Sequence, residues 1–296
     1  VVKNAQMRKN EARERARIRR EQERRKAQQR KIITYTGVIV GVIAVIAAIV
    51  VVGVLNKSSN KNDRVAASPA IVSAIANVPP ANLDTVGLGT VQAGLYTISN
   101  QPPLTADGKP EVLYVGGEFC PFCAAERWAM AIALSRFGQF TDGLETTRSA
   151  VDDGNIPTLT FLNAKYTSTY ITFVPVEAED RNRKELQKLT DDQRKLTAAI
   201  LPGGLSFPFL DFGNKYLLNG GSYSPTFLNK YSAEEIAQQM SNPTSEVGKA
   251  IMGSANVMTA AICNLTNNQP GNVCSSAAVK AGSTLVGTRG DTSTIK

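Results

Sequence analysis

Residues 116–128 read "GGEFCPFCAAERW". Cys120 and Cys123 stand three positions apart, after the apolar run "EVLYVGG" (111–117) and before "AAERWAMAIALSRF" (124–137). The first run has the length and composition of a buried strand. In the second, Ala125, Trp128, Ala129, Ile132 and Ala133 recur at helical spacing, and Gly138 supplies a stop. A cysteine pair between such runs has one sulfur at a helix N-terminus. There the free N–H groups and the macrodipole favour thiolate and lower its pKa. The second sulfur follows about one turn later, close enough for a disulfide to form without distortion. Pro121 is tolerated in the first turn, where its missing N–H would be unpaired anyway. On this reading Cys120 is the exposed, attacking thiol and Cys123 the resolving thiol.

Other chemistries of a CxxC compete with this one. A zinc site needs four ligands, yet the chain has no histidine and no second CxxC. A haem attachment site needs histidine after the second cysteine, where Ala124 stands. A copper chaperone uses two thiolates, but an oxidised-copper site wants imidazole. An inert structural disulfide stays open. The absence of histidine also excludes Ser-His and Cys-His nucleophilic pairs and a histidine pH switch. No metal and no cofactor is expected. The remaining cysteines, Cys263 and Cys274, enclose the turn-rich "NLTNNQPGNV". They are read as a structural disulfide tying the end of a C-terminal helix, worth somewhat under ~3 kcal/mol in the chain-entropy picture. A second redox pair relaying electrons to Cys120 and Cys123 is the alternative.

The net charge of +8 is unevenly spread: residues 1–31 carry 13 Lys/Arg against 4 Glu, and the remaining 265 carry 20 Lys/Arg against 21 Asp/Glu. The basicity is not on the folded part, so no nucleic-acid partner is expected. Residues 32–55, "IITYTGVIVGVIAVIAAIVVVGVL", contain no charge. At 1.5 Å per residue they reach roughly 36 Å, enough for a membrane-crossing signal-anchor and longer than a cleaved signal's apolar region. The positive-inside rule then places the N-terminus in the cytoplasm and residues from 56 onward outside the plasma membrane, where disulfides are stable. Residues 1–31 read as a basic cytoplasmic helix, topogenic or docked on a membrane partner. Gly37 and Gly41 form a small-xxx-small pair on which another helix would pack.

Beyond the span, residues 56–64 read as a polar linker and "SPAIVSAIANVPP" (68–80) as a short helix ended by Pro79 and Pro80. "LETTRSA" (144–150) is a candidate strand, and "TLTFLNAKYTSTYITFVPVE" (158–177) is one or two strands. Residues 180–201 read as a charged helix, and "FPFLDFGNKYLLNGG" (207–221) as strand, turn, strand. Ser232 with Glu235 forms a capping box before a helix, and a further helical run leads to Cys263. This is an α/β pattern with mixed strand directions.

At the strand–CxxC–helix stretch the chain resembles the thioredoxin superfamily, and Cys120-Pro121-Phe122-Cys123 is similar to the CP-aromatic-C motif of glutaredoxins and some Dsb-type oxidoreductases. The resemblance implies a cis-proline opposite the dithiol. Pro208 is preferred because it leads into the 207–221 hairpin; Pro157 in "NIPTLTF" is second, and Pro225 in "YSPTFL" suits a helix start. Glu118-Phe119 stands where thioredoxin proper has a tryptophan before the first cysteine. More closely, "GGEFCPFCAAERWA", "LSRFG", "FPFLDFGNKY", "SYSP" and "AAIC…VC" resemble a family of membrane-anchored prokaryotic proteins of unknown function.

The expected architecture is therefore a basic cytoplasmic helix (1–31), a transmembrane helix (32–55), a linker with a short helix (56–80) and an extracytoplasmic thioredoxin-like α/β domain with a helical insertion (81–296). The expected activity is thiol–disulfide exchange with substrate protein thiols or disulfides, by a membrane-anchored protein. The alternative is an accessory or assembly subunit of a larger membrane complex, for example a respiratory one, in which the dithiol is structural or incidental. The lipid bilayer and other membrane-protein subunits are the expected partners.

Overall fold

The computed structural model describes residues 64–295. At the start of this part, β1 (Val65–Ala66) leads into α1 (Pro69–Ala76), where Ser68 Oγ accepts the Ile71 N–H (3.3 Å). Pro79 and Pro80 end one helix and begin another. Proline is already shaped for the first helical position, and α2 (Pro80–Val86) starts on Pro80 and closes at Gly87, φ +55°. Ile71, Ile75 and Leu83 are buried in the main core. Residues 65–86 are thus part of the domain, and its edge lies N-terminal to the expected boundary at 80/81.

After β2 (Tyr96–Thr97) and β3 (Thr105–Ala106) comes the central strand β4 (Lys109–Gly116), then α3 (Pro121–Ser135). Three small-sheet strands follow: β5 (Gly138–Asp142), β6 (Glu145–Arg148) and β7 (Pro157–Thr160). The next two are β8 (Lys165–Ser168) and β9 (Thr172–Glu177). Residues 158–177 therefore hold three strands rather than one or two. The run is broken at Ser168, whose hydroxyl accepts the Tyr170 and Ile171 N–H groups (3.0 and 3.3 Å). The remaining elements are α4 (Asp191–Ile200), the hairpin β10 (Phe209–Phe212) and β11 (Tyr216–Asn219), α5 (Ala233–Gln239), α6 (Glu246–Leu265), α7 (Gly271–Cys274) and α8 (Ala277–Ser283).

In the main sheet the strands run β2–β11–β10–β4, with β9 beside β4 and β3 folding back on the start of β4. β9 runs parallel to β4, pairing Glu111–Gly116 with Thr172–Glu177, whereas β10 is antiparallel, pairing Val112–Val115 with Phe212–Phe209. Alternation along β4 divides the core. Val112 and Tyr114 face the larger core with α3 and α6, and Leu113 and Val115 face a second cluster with Ile200 and Phe209. Strands β1–β6–β7 and β5–β8 form two small sheets.

Two sequence expectations are corrected here. The helical insertion is shorter than 180–201: only Asp191–Ile200 is helical. The Asp180 carboxylate accepts the N–H groups of Asn182 and Lys184, which holds that stretch in a turn. The helix begins where Thr190 and Gln193 cap each other. The second correction concerns the membrane. The described protein is a mixed α/β domain, and among the described residues no helix is long and apolar enough to cross a membrane. A fold led by a transmembrane helix, single-pass plasma-membrane localisation, and bilayer or membrane-subunit partners accordingly find no support and are set aside. The basic segment 1–31, the apolar run 32–55 and the Gly37–Gly41 pair lie outside the described residues.

Candidate functional site

Cys120 occupies the N-cap of α3 in extended conformation, and its Sγ accepts the N–H of Cys123 (3.2 Å). Both thiols are free. Cys120 lies below the ordinary cysteine pKa. Its hydrogen bond with the Cys123 thiol is the largest cause, burial opposes it, and the Cys123 and Phe122 N–H groups with the Arg127 guanidinium add to the lowering. Cys123 lies well above the ordinary value, first through burial and then through its bond and charge with Cys120. Cys120 is less open than expected of an attacking thiol, with only 4% of its surface exposed. The Phe207 carbonyl lies 3.8 Å from its sulfur, and the Phe119 and Phe207 rings stand 6.2 Å apart. Phe122, between the cysteines, is by contrast 42% exposed. Beside it lies a groove of about 570 Å³ lined by Phe122, Ile156, Tyr223, Pro225, Asp152 and Asp153.

Of the three candidate prolines, Pro208 follows a cis peptide bond from Phe207, the residue whose carbonyl faces Cys120. Pro157 opens β7, and its carbonyl accepts the Trp128 indole N–H (3.1 Å), which fixes Trp128 as a core residue. Pro225 precedes a 3-10 turn, Thr226–Lys230, on the wall of the groove. Cys263 and Cys274 are joined, with 5.6 Å between their Cα atoms, and link the end of α6 to α7. Leu265, beside Cys263, packs on Gly213 at the far end of β10, while the dithiol sits at the opposite end of the sheet. The two cysteine pairs are therefore not brought together.

A buried charge network backs the dithiol. Arg127, four residues after Cys123, donates from Nε and Nη2 to the two carboxylate oxygens of Glu177 on β9 (2.9 and 2.6 Å), with both side chains fully buried. Burial works against the charge on Arg127, but Glu177, Tyr114 and Cys123 together outweigh it and raise its pKa, so the guanidinium stays protonated. The Phe161 N–H also donates to Glu177 (3.1 Å). Glu118 is buried two residues before Cys120, with Arg64 at 3.3 Å; burial raises its pKa, and Thr160 and Arg64 oppose the rise. Glu126 accepts from the Ser222 N–H and hydroxyl and from the Ser254 hydroxyl (2.6–2.8 Å), tying α3 to the segment after β11 and to α6.

Sequence reasoning missed Tyr114, Arg127, Glu177 and Phe207. For Arg127 and Glu126 a signal existed: α3 is apolar nearly all round, so any charge on it must be buried and paired. Nothing in the sequence marks Glu177 as the partner, because the pairing arises from the parallel register of β4 and β9.

The family model for a domain of unknown function (DUF929) matches residues 94–203. The matched stretch includes the dithiol, Arg127 and Glu177 and stops before Pro208. No curated protein and no solved structure matches the chain. The thioredoxin resemblance thus rests on the chain's own sequence motifs, and no comparison supports it.

Proposed function

We propose that this domain is a thioredoxin-like dithiol protein that carries out thiol–disulfide exchange through Cys120 and Cys123. The observation that carries the reading is the asymmetry of the pair. Cys120 caps a helix with its thiol pKa lowered, and Cys123 is buried one turn behind it with its pKa raised. This asymmetry separates an attacking thiol from a resolving one. The order β4, α3, parallel β9, α4, antiparallel β10, β11, α6, with a cis-proline entering β10, also supports it.

The test has two arms. The Cys123→Ser protein, exposed to protein or small-molecule disulfides, should accumulate a mixed disulfide at Cys120. The wild-type pair, equilibrated in glutathione buffers, should titrate at a potential well above that of structural disulfides. A potential below about −300 mV, together with an inert Cys120, would make the pair a structural bond and end this reading.

A further inference from the structure

Tyr114 presents an unexplained polar atom. Its side chain is fully buried in the core on β4, and its hydroxyl has no hydrogen-bond partner. Leaving a buried hydroxyl unpaired forfeits the hydrogen bonds it would make to water. The packing does not call for that oxygen, because the ring's edge-to-face contact with Phe161 (5.8 Å between centres, 86° between planes) would be made equally well by phenylalanine. The hydroxyl is housed by the absence of a side chain at Gly116. A Cβ there would collide with Tyr114 Oη and stand 3.0 Å from Cys123 Sγ, so the oxygen and the sulfur lie within about 5 Å of each other. A second buried donor without a partner belongs to the same cluster: Nη1 of Arg127, whose guanidinium lies 5.7 Å from the centre of the Tyr114 ring.

Two surplus donors have thus been assembled behind the resolving sulfur. We infer that the Tyr114 hydroxyl is the hydrogen-bond donor that stabilises Cys123 as a thiolate during resolution, with Arg127 Nη1 supplying the charge behind it. The inference rests on the exchange reading above. In the first step the Cys120 thiolate attacks a disulfide, forming a Cys120–S–S–R bond and releasing one thiolate. In the second, Cys123 gives its proton to solvent and its sulfur attacks Cys120 Sγ. The Cys120–Cys123 bond forms, the bond to R breaks, and RS⁻ departs; the two thiols are oxidised and the incoming disulfide is reduced. Burial makes ionisation of Cys123 the costly event, and a hydrogen bond to charged sulfur is the strong kind. The charged or titratable groups facing the sulfur are Cys120 and Arg127 from α3 and Tyr114 from β4, with Glu177 of β9 acting through Arg127.

The test uses reduced wild-type protein and Tyr114→Phe with an aromatic disulfide whose thiolate product absorbs visible light. Capture by Cys120 and ring closure by Cys123 each release one equivalent, in two phases. Tyr114→Phe should leave the first phase unchanged and should not lower the melting temperature, because the hydroxyl it removes is unpaired in the resting fold. It should slow the second about tenfold at neutral pH and move its pH profile to higher pH. A second phase with unchanged rate and pH profile, or two phases slowed alike, would overturn the role of Tyr114 while leaving the exchange reading standing. Absence of the first phase in the wild-type protein would sink the exchange reading, and this inference with it.

Discussion

Asp211 lies on β10, fully buried, with one carboxylate oxygen accepting the Asn214 N–H (2.7 Å) and the other unpartnered. Burial pushes its pKa up to about 7; the Asn214 N–H opposes the shift and Glu111 adds to it. The unfolded chain loses this proton near pH 4, where aspartate ordinarily titrates. Between about pH 4 and pH 7 the folded protein therefore holds a proton that the unfolded chain has released, and stability falls as pH rises through that window. Above it the penalty is complete, on the order of a few kcal/mol. Asp211→Asn should raise the melting temperature at pH 8, give no gain at pH 4, and flatten the profile between. Thermal melts across that range check it, and parallel profiles for the two proteins would exclude Asp211 as the cause. At this scale the sequence was only partly informative. "FPFLDFGNKY" displays a polar residue in an apolar strand, yet alternation could equally have turned it to solvent. Its burial follows from β10 having β4 on one side and β11 on the other and a core on each face.

Among the elements, α3 and α6 were legible through helical spacing of apolar residues, and the capping box at Ser232 through its side chains, whereas the box at Thr190 that starts α4 was not read. The packing of α6 was not. Its small residues let backbone approach: a Cβ on Gly253 would press on the Leu88 backbone and stand 3.2 Å from Val91 Cγ2. Alanine gains about 1 kcal/mol over glycine in a helix interior, but overpacking against backbone that cannot rotate away costs about 1–3 kcal/mol. Gly253→Ala should therefore destabilise the domain despite better helix propensity. Denaturant titration is the check, and a stabilised variant would show that the segment after α2 yields easily. The charged stretch before α4 teaches the converse. Local side-chain bonds from Asp180 override a composition that otherwise favours helix.

For the whole molecule, the N-terminal edge is decided by burial. β1 pairs with β6, and α1 and α2 place Ile71, Ile75 and Leu83 in the core. Asn256 of α6 donates to the carbonyls of Leu83 and Gly87 (2.9 and 2.7 Å). A fragment beginning at residue 81 would lose α1 and expose core side chains, so it should fail to unfold cooperatively, whereas one beginning at 64 should melt in a single transition. Circular dichroism melts of the two fragments test this, and a cooperative 81–296 fragment would restore the boundary at 80/81. The sequence by itself determined what is local: the dithiol at a strand–helix junction, the α/β class, the hairpin after Pro208 and the short-loop disulfide. Each depends on spacing, turn chemistry or propensity within a few residues. Only the tertiary structure decided which distant groups meet. It seated Phe207 over Cys120, paired Arg127 with Glu177, and left the Tyr114 hydroxyl unpaired beside Cys123. Such meetings depend on strand order and register, which no local pattern encodes.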